Sequence, residues 1–176
     1  YSDKTMLRTE VAFNLSRFSG LDWTPDSRSV ELFVNNEYLG VYQVVQKVEE
    51  SSNRVNLGDN GYLLEVDQLS RLDSDDVYFE TDNYLFNIKE PNLDEGDNQY
   101  HLIKDYIQLT ENILLGDNFT DSVEGYAKYI DVNSFIDWYL INEITKNNDA
   151  IFYSSVYMNY TLGGKLKMGP VWDYDI

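Results

Sequence analysis

Near Gln99 the spacing of apolar residues changes period, and this break restricts the chain to folds that combine a sheet with packed helices. Before it, residues 29–34 (Ser-Val-Glu-Leu-Phe-Val) alternate as a strand does. Asn35-Asn36-Glu37 is turn chemistry, and Tyr38 to Val48 reads as a second strand, which predicts an antiparallel hairpin. Residues 61–67 form a third predicted strand, and 76–80 and 84–89 two more. After the break, Tyr100, Ile103, Ile107, Thr110 and Leu114 recur at helical spacing until Gly116-Asp117-Asn118. A short helical piece is read at 122–129. Asp131 then stands where it can cap a helix over 132–146, whose apolar face is read as Phe135, Ile136, Tyr139, Leu140 and Ile144.

Two segments depart from this simple division. Residues 3–19 carry Met6, Leu7, Val11, Phe13, Leu15 and Phe18 at helical spacing, with Gly20 as a stop. Near the end, strands near 151–158 and 165–168 flank a Gly163-Gly164 turn. The reading is an α+β fold with a β-rich N-terminal half, a helical C-terminal half and a hairpin near its end. No internal repeat interrupts it. Trp172-Asp173-Tyr174-Asp175-Ile176 reads as a motif and not a tail. Residues 1–176 are therefore expected to be a single domain cut short at its C-terminal end.

Charge narrows the function classes. The chain carries 31 acidic against 13 basic residues, a formal charge of −18, and such a field repels nucleic-acid phosphates. It attracts divalent cations and basic polypeptides, and it also serves solubility. With no cysteine, disulfides, thiolate metal sites and cysteine nucleophiles are excluded. Apolar runs are too short for a membrane span. Acidity without cysteine suits a secreted or cell-surface bacterial protein. His101 is the only histidine, so a multi-histidine metal site is ruled out, and its place at a helix start suits a structural or exposed role. The acidic runs 73–76 and 94–97 suggest structural calcium but lack the ligand spacing of a calcium-loop motif. Trp23, Trp138 and Trp172 raise sugar stacking, although the pattern around Trp138 is that of a core helix.

The acidic residues at the end of the chain are the candidates for chemistry. Asp149 follows a predicted helix, and Asp173 and Asp175 follow the predicted hairpin. Two strands joined at Gly163-Gly164 double the chain back, so the carboxylates can meet at one sheet edge. Phosphoryl transfer needs one carboxylate at the acceptor hydroxyl and another on a metal ion. The same residues also fit a turn cap and solvated loop acids, and spacing does not separate the two readings. There is no glycine-rich phosphate loop.

Several blocks, in one order, resemble the spore-coat CotH family. They are Lys4-Thr5-Met6-Leu7-Arg8-Thr9-Glu10-Val11-Ala12-Phe13, then Val30 to Tyr42 with Gly40-Val41-Tyr42, and Gln46-Lys47-Val48-Glu49 with Asn53-Arg54-Val55. Gly61-Tyr62-Leu63-Leu64-Glu65-Val66-Asp67, Phe86-Asn87-Ile88-Lys89-Glu90-Pro91, Asn147-Asn148-Asp149 and Gly169-Pro170-Val171-Trp172-Asp173-Tyr174-Asp175 follow. The resemblance implies a diverged protein-kinase-like fold. It also implies phosphate transfer from ATP, with Mg or Mn, to serine of a protein substrate. On this resemblance Asp149 is the catalytic aspartate, and Asp173, assisted by Asp175, is the metal ligand. Arg8, Lys47 and Lys89 are the basic candidates for the cofactor's phosphates, with Glu65 as an ion-pair or metal-side partner. Two departures stand out. Ser154-Ser155 lies where many relatives carry His-Asn, and Gln46 lies where many carry glutamate. The chain looks similar to modules of secreted or cellulosome-associated proteins, so a catalytically inactive structural or binding module is the alternative. Its partners would be neighbouring modules of a larger extracellular protein.

Overall fold

A computed structural model describes residues 3–148 and 150–174. Helix α1 (Arg8–Phe18) starts later than the apolar spacing predicts. The reason is Asp3, whose carboxylate accepts from the amides of Thr5 (3.0 Å) and Arg8 (2.9 Å) and folds the preceding residues into a turn. That interaction does the work of a helix cap, because the Leu7 side chain at the N-cap carries no hydrogen-bond acceptor. Strands β1 (Ser27–Val34) and β2 (Glu37–Val45) form the expected hairpin. Asn35 and Asn36 adopt φ of 51° and 64°, the left-handed pair that a two-residue hairpin turn requires.

A second sheet holds β3 (Gly61–Val66), β4 (Val77–Glu80), β5 (Leu85–Glu90), β6 (Val156–Thr161) and β7 (Lys167–Met168) in the order β4-β5-β3-β6-β7. The late hairpin thus completes a sheet begun in the first half, beside its central strand β3. The strand predicted near 151–158 starts only at Val156, because the residues before it form turns. The fold is α+β, as the change of period indicates.

Each face of β3 is covered, which explains its nearly continuous apolar run. Tyr62, Leu64 and Val66 join Phe86, Ile88, Val156, Met158 and Tyr160 in the main core. Helices α2 (Asn98–Leu115) and α3 (Val132–Thr145) close this core with Ile103, Ile107, Trp138 and Ile141, and α1 adds Ala12 and Phe13. On the other face, Leu63 and Tyr157 pack with Val48, Val55 and Leu57 from the loop after β2. The Asp131 cap forms, its carboxylate accepting from the Ser134 amide at 3.1 Å.

Helix α3 turns most of the predicted face outward, and of that face Phe135 packs against the core. Ser134, Trp138, Ile141 and Asn142 are buried. Ile136, Tyr139, Leu140 and Ile144 are 48–64% exposed. A helix that is apolar on both sides does not reveal from periodicity which side turns inward. The same holds for α1, where Ala12, Phe13 and Ser16 face in while Leu7, Val11 and Phe18 face out. No helix among the described residues is long and apolar enough to cross a membrane.

Candidate functional site

The loop after β7 brings Trp172 and Asp173 against the start of α1 and the inner side of the β1–β2 hairpin. Between them lies a cleft of about 830 Å³. Phe13, Leu39, Val41 and Val45 give it apolar walls, while Lys4, Thr9, Gln43 and Asp173 supply polar groups. Trp172 packs against both core clusters and so anchors the loop that carries Asp173.

Two residues of the cleft adopt left-handed backbone. Apart from the hairpin turn, the non-glycine residues with positive φ are Met6, Lys146, Phe152, Ser155 and Asp173 among the described residues. Met6 and Asp173 line the cleft, and Ser155 and Asp173 line a small adjoining pocket with Asn147, Ser154 and Arg71. Lys146 ends α3 next to Asn147, in the left-handed conformation of a helix C-cap. Asp173 at φ 60° is a conformation that costs energy and persists only where surrounding contacts enforce it. One such contact is the Asn147 amide, which donates to the Asp173 carbonyl at 3.3 Å. Asn147 also approaches the hydroxyl of Tyr174, whose ring is buried and whose pKa is raised by desolvation.

The predicted residues separate in space. Asp173 reaches the cleft. Asp149 and Asp175 lie outside the described residues. Arg8 donates from Nη2 to the carbonyls of Thr145 and Lys146, both at 2.9 Å, and so closes the end of α3. Lys47 is exposed and pairs with Glu49 at 3.9 Å. None of Arg8, Lys47, Glu65 or Lys89 lines the cleft.

Glu65 and Lys89 do meet, on the sheet face away from the helices. Glu65 stands opposite Asn87 on β5 and Tyr157 on β6, forming a buried polar row across three strands. Lys89 Nζ lies 3.9 Å from Glu65 and 3.4 Å from Asp76. Desolvation raises the Glu65 pKa; Lys89 and a hydrogen bond from Tyr157 oppose it, and the Asp67 and Asp76 charges add to it. Desolvation also raises the Tyr157 pKa, followed by the charges of Glu65, Asp67 and Asp173.

The other sequence candidates resolve locally. In the acidic runs, Asp76 accepts from the Asp73 amide and Asp97 from the Asp94 amide, both at 2.8 Å, so these carboxylates close turns. Among the described residues no group of three or more His, Asp or Glu is arranged to hold a metal ion. His101 is exposed and rests edge-on against Tyr100. Trp138 is buried in the core. Gln46 accepts from the Asp26 amide at 2.8 Å, so it fastens the base of the hairpin. Lys4, the hairpin wall and the role of Asn147 escaped the sequence reading. Nothing in their spacing links them to Asp173, because the cleft is assembled from both ends of the chain.

A family model described as CotH kinase protein matches residues 1–176, the full length of the chain. No curated protein and no solved structure matches it.

Proposed function

The chain belongs to the CotH kinase protein family, and from that premise we propose that it is an atypical kinase domain that moves phosphate from ATP to a serine of a protein substrate. The observation that carries this reading is the cleft that joins apolar walls to Asp173, held at φ 60°. A nucleobase suits Leu39, Val41 and Val45. The polar groups suit a metal-bound triphosphate, which neutralises charge that this acidic chain would otherwise repel.

In this reading Asp173 would hold a Mg or Mn ion, with Asp175 as a second carboxylate. Bound there, the metal–nucleotide supplies the phosphoryl group and screens its charge. The Asn147 contact and the packing of Trp172 fix the Asp173 backbone before substrate arrives, so orientation is preorganised. Asp149 would orient the serine hydroxyl and accept its proton during transfer. Arg8 acts indirectly, by fixing the end of α3 from which the segment with Asn147 and Asp149 departs. The kinase-like fold belongs to this proposal, as do a secreted or cell-surface setting and a protein acceptor or neighbouring module as partner.

A thermal-shift titration with ATP, with and without Mn, on wild type and Asp173→Asn tests it. A metal-dependent rise in Tm that the variant loses is the expected result. The same rise in the variant, or none in a cooperatively melting wild type, overturns the assignment.

A second reading, a binding module without turnover, rests on Ser154 and Ser155. Ser154 is 5% exposed, its hydroxyl lies 3.5 Å from that of Ser155, and neither offers the amide oxygen of an asparagine ligand. Metal-dependent nucleotide binding without any phosphate transfer to a serine-rich protein would favour this module.

A further inference from the structure

Resting on the nucleotide reading above, we infer that Lys4 is the side chain that meets the nucleotide's phosphates. Among the described residues it is the only basic one lining the cleft, which it shares with Asp173. The other cations of the motif blocks are committed elsewhere. Arg8 holds the end of α3, Lys47 lies beside Glu49, Arg54 pairs with Glu49, and Lys89 lies between Asp76 and Glu65. Lys4 takes part in no ion pair among the described residues, so its ammonium keeps its three donors for a ligand.

Its backbone is nonetheless fixed. Asp3 accepts from the Thr5 amide, the Thr5 hydroxyl and the Arg8 amide, and Thr5 Oγ1 accepts from the Leu7 amide at 3.2 Å. The turn thus brackets Lys4 on both sides, and Lys4 lines the cleft. Asp3 lines the same cleft, but its carboxylate is consumed by this turn and by the start of α1. The Thr5 hydrogen bond, and then the Arg8 amide, hold its pKa down at about 2. A lysine carried on a rigid turn can follow a flexible phosphate chain as a point charge, without bidentate geometry.

The test is equilibrium titration of the full chain with a fluorescent ATP analogue plus Mn, and separately with adenosine. Wild type, Lys4→Ala, Lys4→Arg and Lys47→Ala are compared, each checked for an unchanged melting curve. Lys4→Ala should weaken the Mn–triphosphate by about tenfold. Lys4→Arg should retain most of the affinity, Lys47→Ala should match wild type, and adenosine should bind all four alike. Equal triphosphate affinity in wild type and Lys4→Ala overturns the inference while leaving the nucleotide reading intact. An equal loss for adenosine in Lys4→Ala also overturns it, since the residue would then shape the cleft instead of meeting phosphate. A wild-type chain that binds neither ligand overturns the nucleotide reading and the inference together.

Discussion

Arg8 Nη2 donates to the Thr145 carbonyl at 2.9 Å, across 137 positions of sequence, and continues to the Lys146 carbonyl. A residue that resemblance marks for phosphate binding is thus a structural clasp between the start of α1 and the end of α3. Charged hydrogen bonds to the exposed carbonyls of a helix end are worth about 1–3 kcal/mol. Arg8→Ala should lower stability by about that amount, read as a shift in urea midpoint at unchanged slope. A much smaller loss would show that water replaces the clasp.

The inward face of α3 is testable by truncation. Ile141 is 3% exposed and Ile144 is 64% exposed. Ile141→Ala should cost about 2–5 kcal/mol and Ile144→Ala no more than about 0.5 kcal/mol. Urea denaturation of both variants distinguishes this from the face read from periodicity, which would place Ile144 inside.

Asp173 occupies left-handed backbone at φ 60°, which Asn and Asp tolerate better than branched residues do. Asp173→Val should therefore be less stable than Asp173→Asn by about 1–2 kcal/mol. Equal melting of the two variants would mean that the loop relaxes at no cost. Asp173→Asn is for this reason the better variant for binding studies.

Glu65 links stability to pH. Desolvation raises its folded pKa above the unfolded value. The folded state therefore holds the proton more tightly, and the resulting stability is fully present below the unfolded pKa. It is lost as pH climbs from the unfolded carboxylate range through the raised folded value. Glu65→Gln removes this dependence, and Lys89 keeps Asp76 at 3.4 Å as a partner. The variant should gain relative to wild type as pH rises from about 4 to 7. Chemical denaturation of both proteins across that range checks the sign, and a constant difference would show that Glu65 titrates normally.

The features legible in the chain before folding are local ones. Alternation and the Asn35-Asn36 pair specified the hairpin, Asp131 specified the start of α3, and the change of period specified an α+β chain. Each of these depends on neighbours within a few residues, where backbone geometry and capping act. Asp173, marked by its Trp-Asp-Tyr-Asp motif, was also legible and does line the cleft. Which apolar face of α3 turns inward follows from packing between distant segments, because both faces carry the same signal. Tertiary packing also sets the partners of the basic residues. Arg8 meets carbonyls at the far end of the chain, Lys89 meets acids on its sheet face, and Lys4 lines the cleft that Asp173 also lines. Such choices arise from contacts between segments distant in sequence, and no local pattern encodes them.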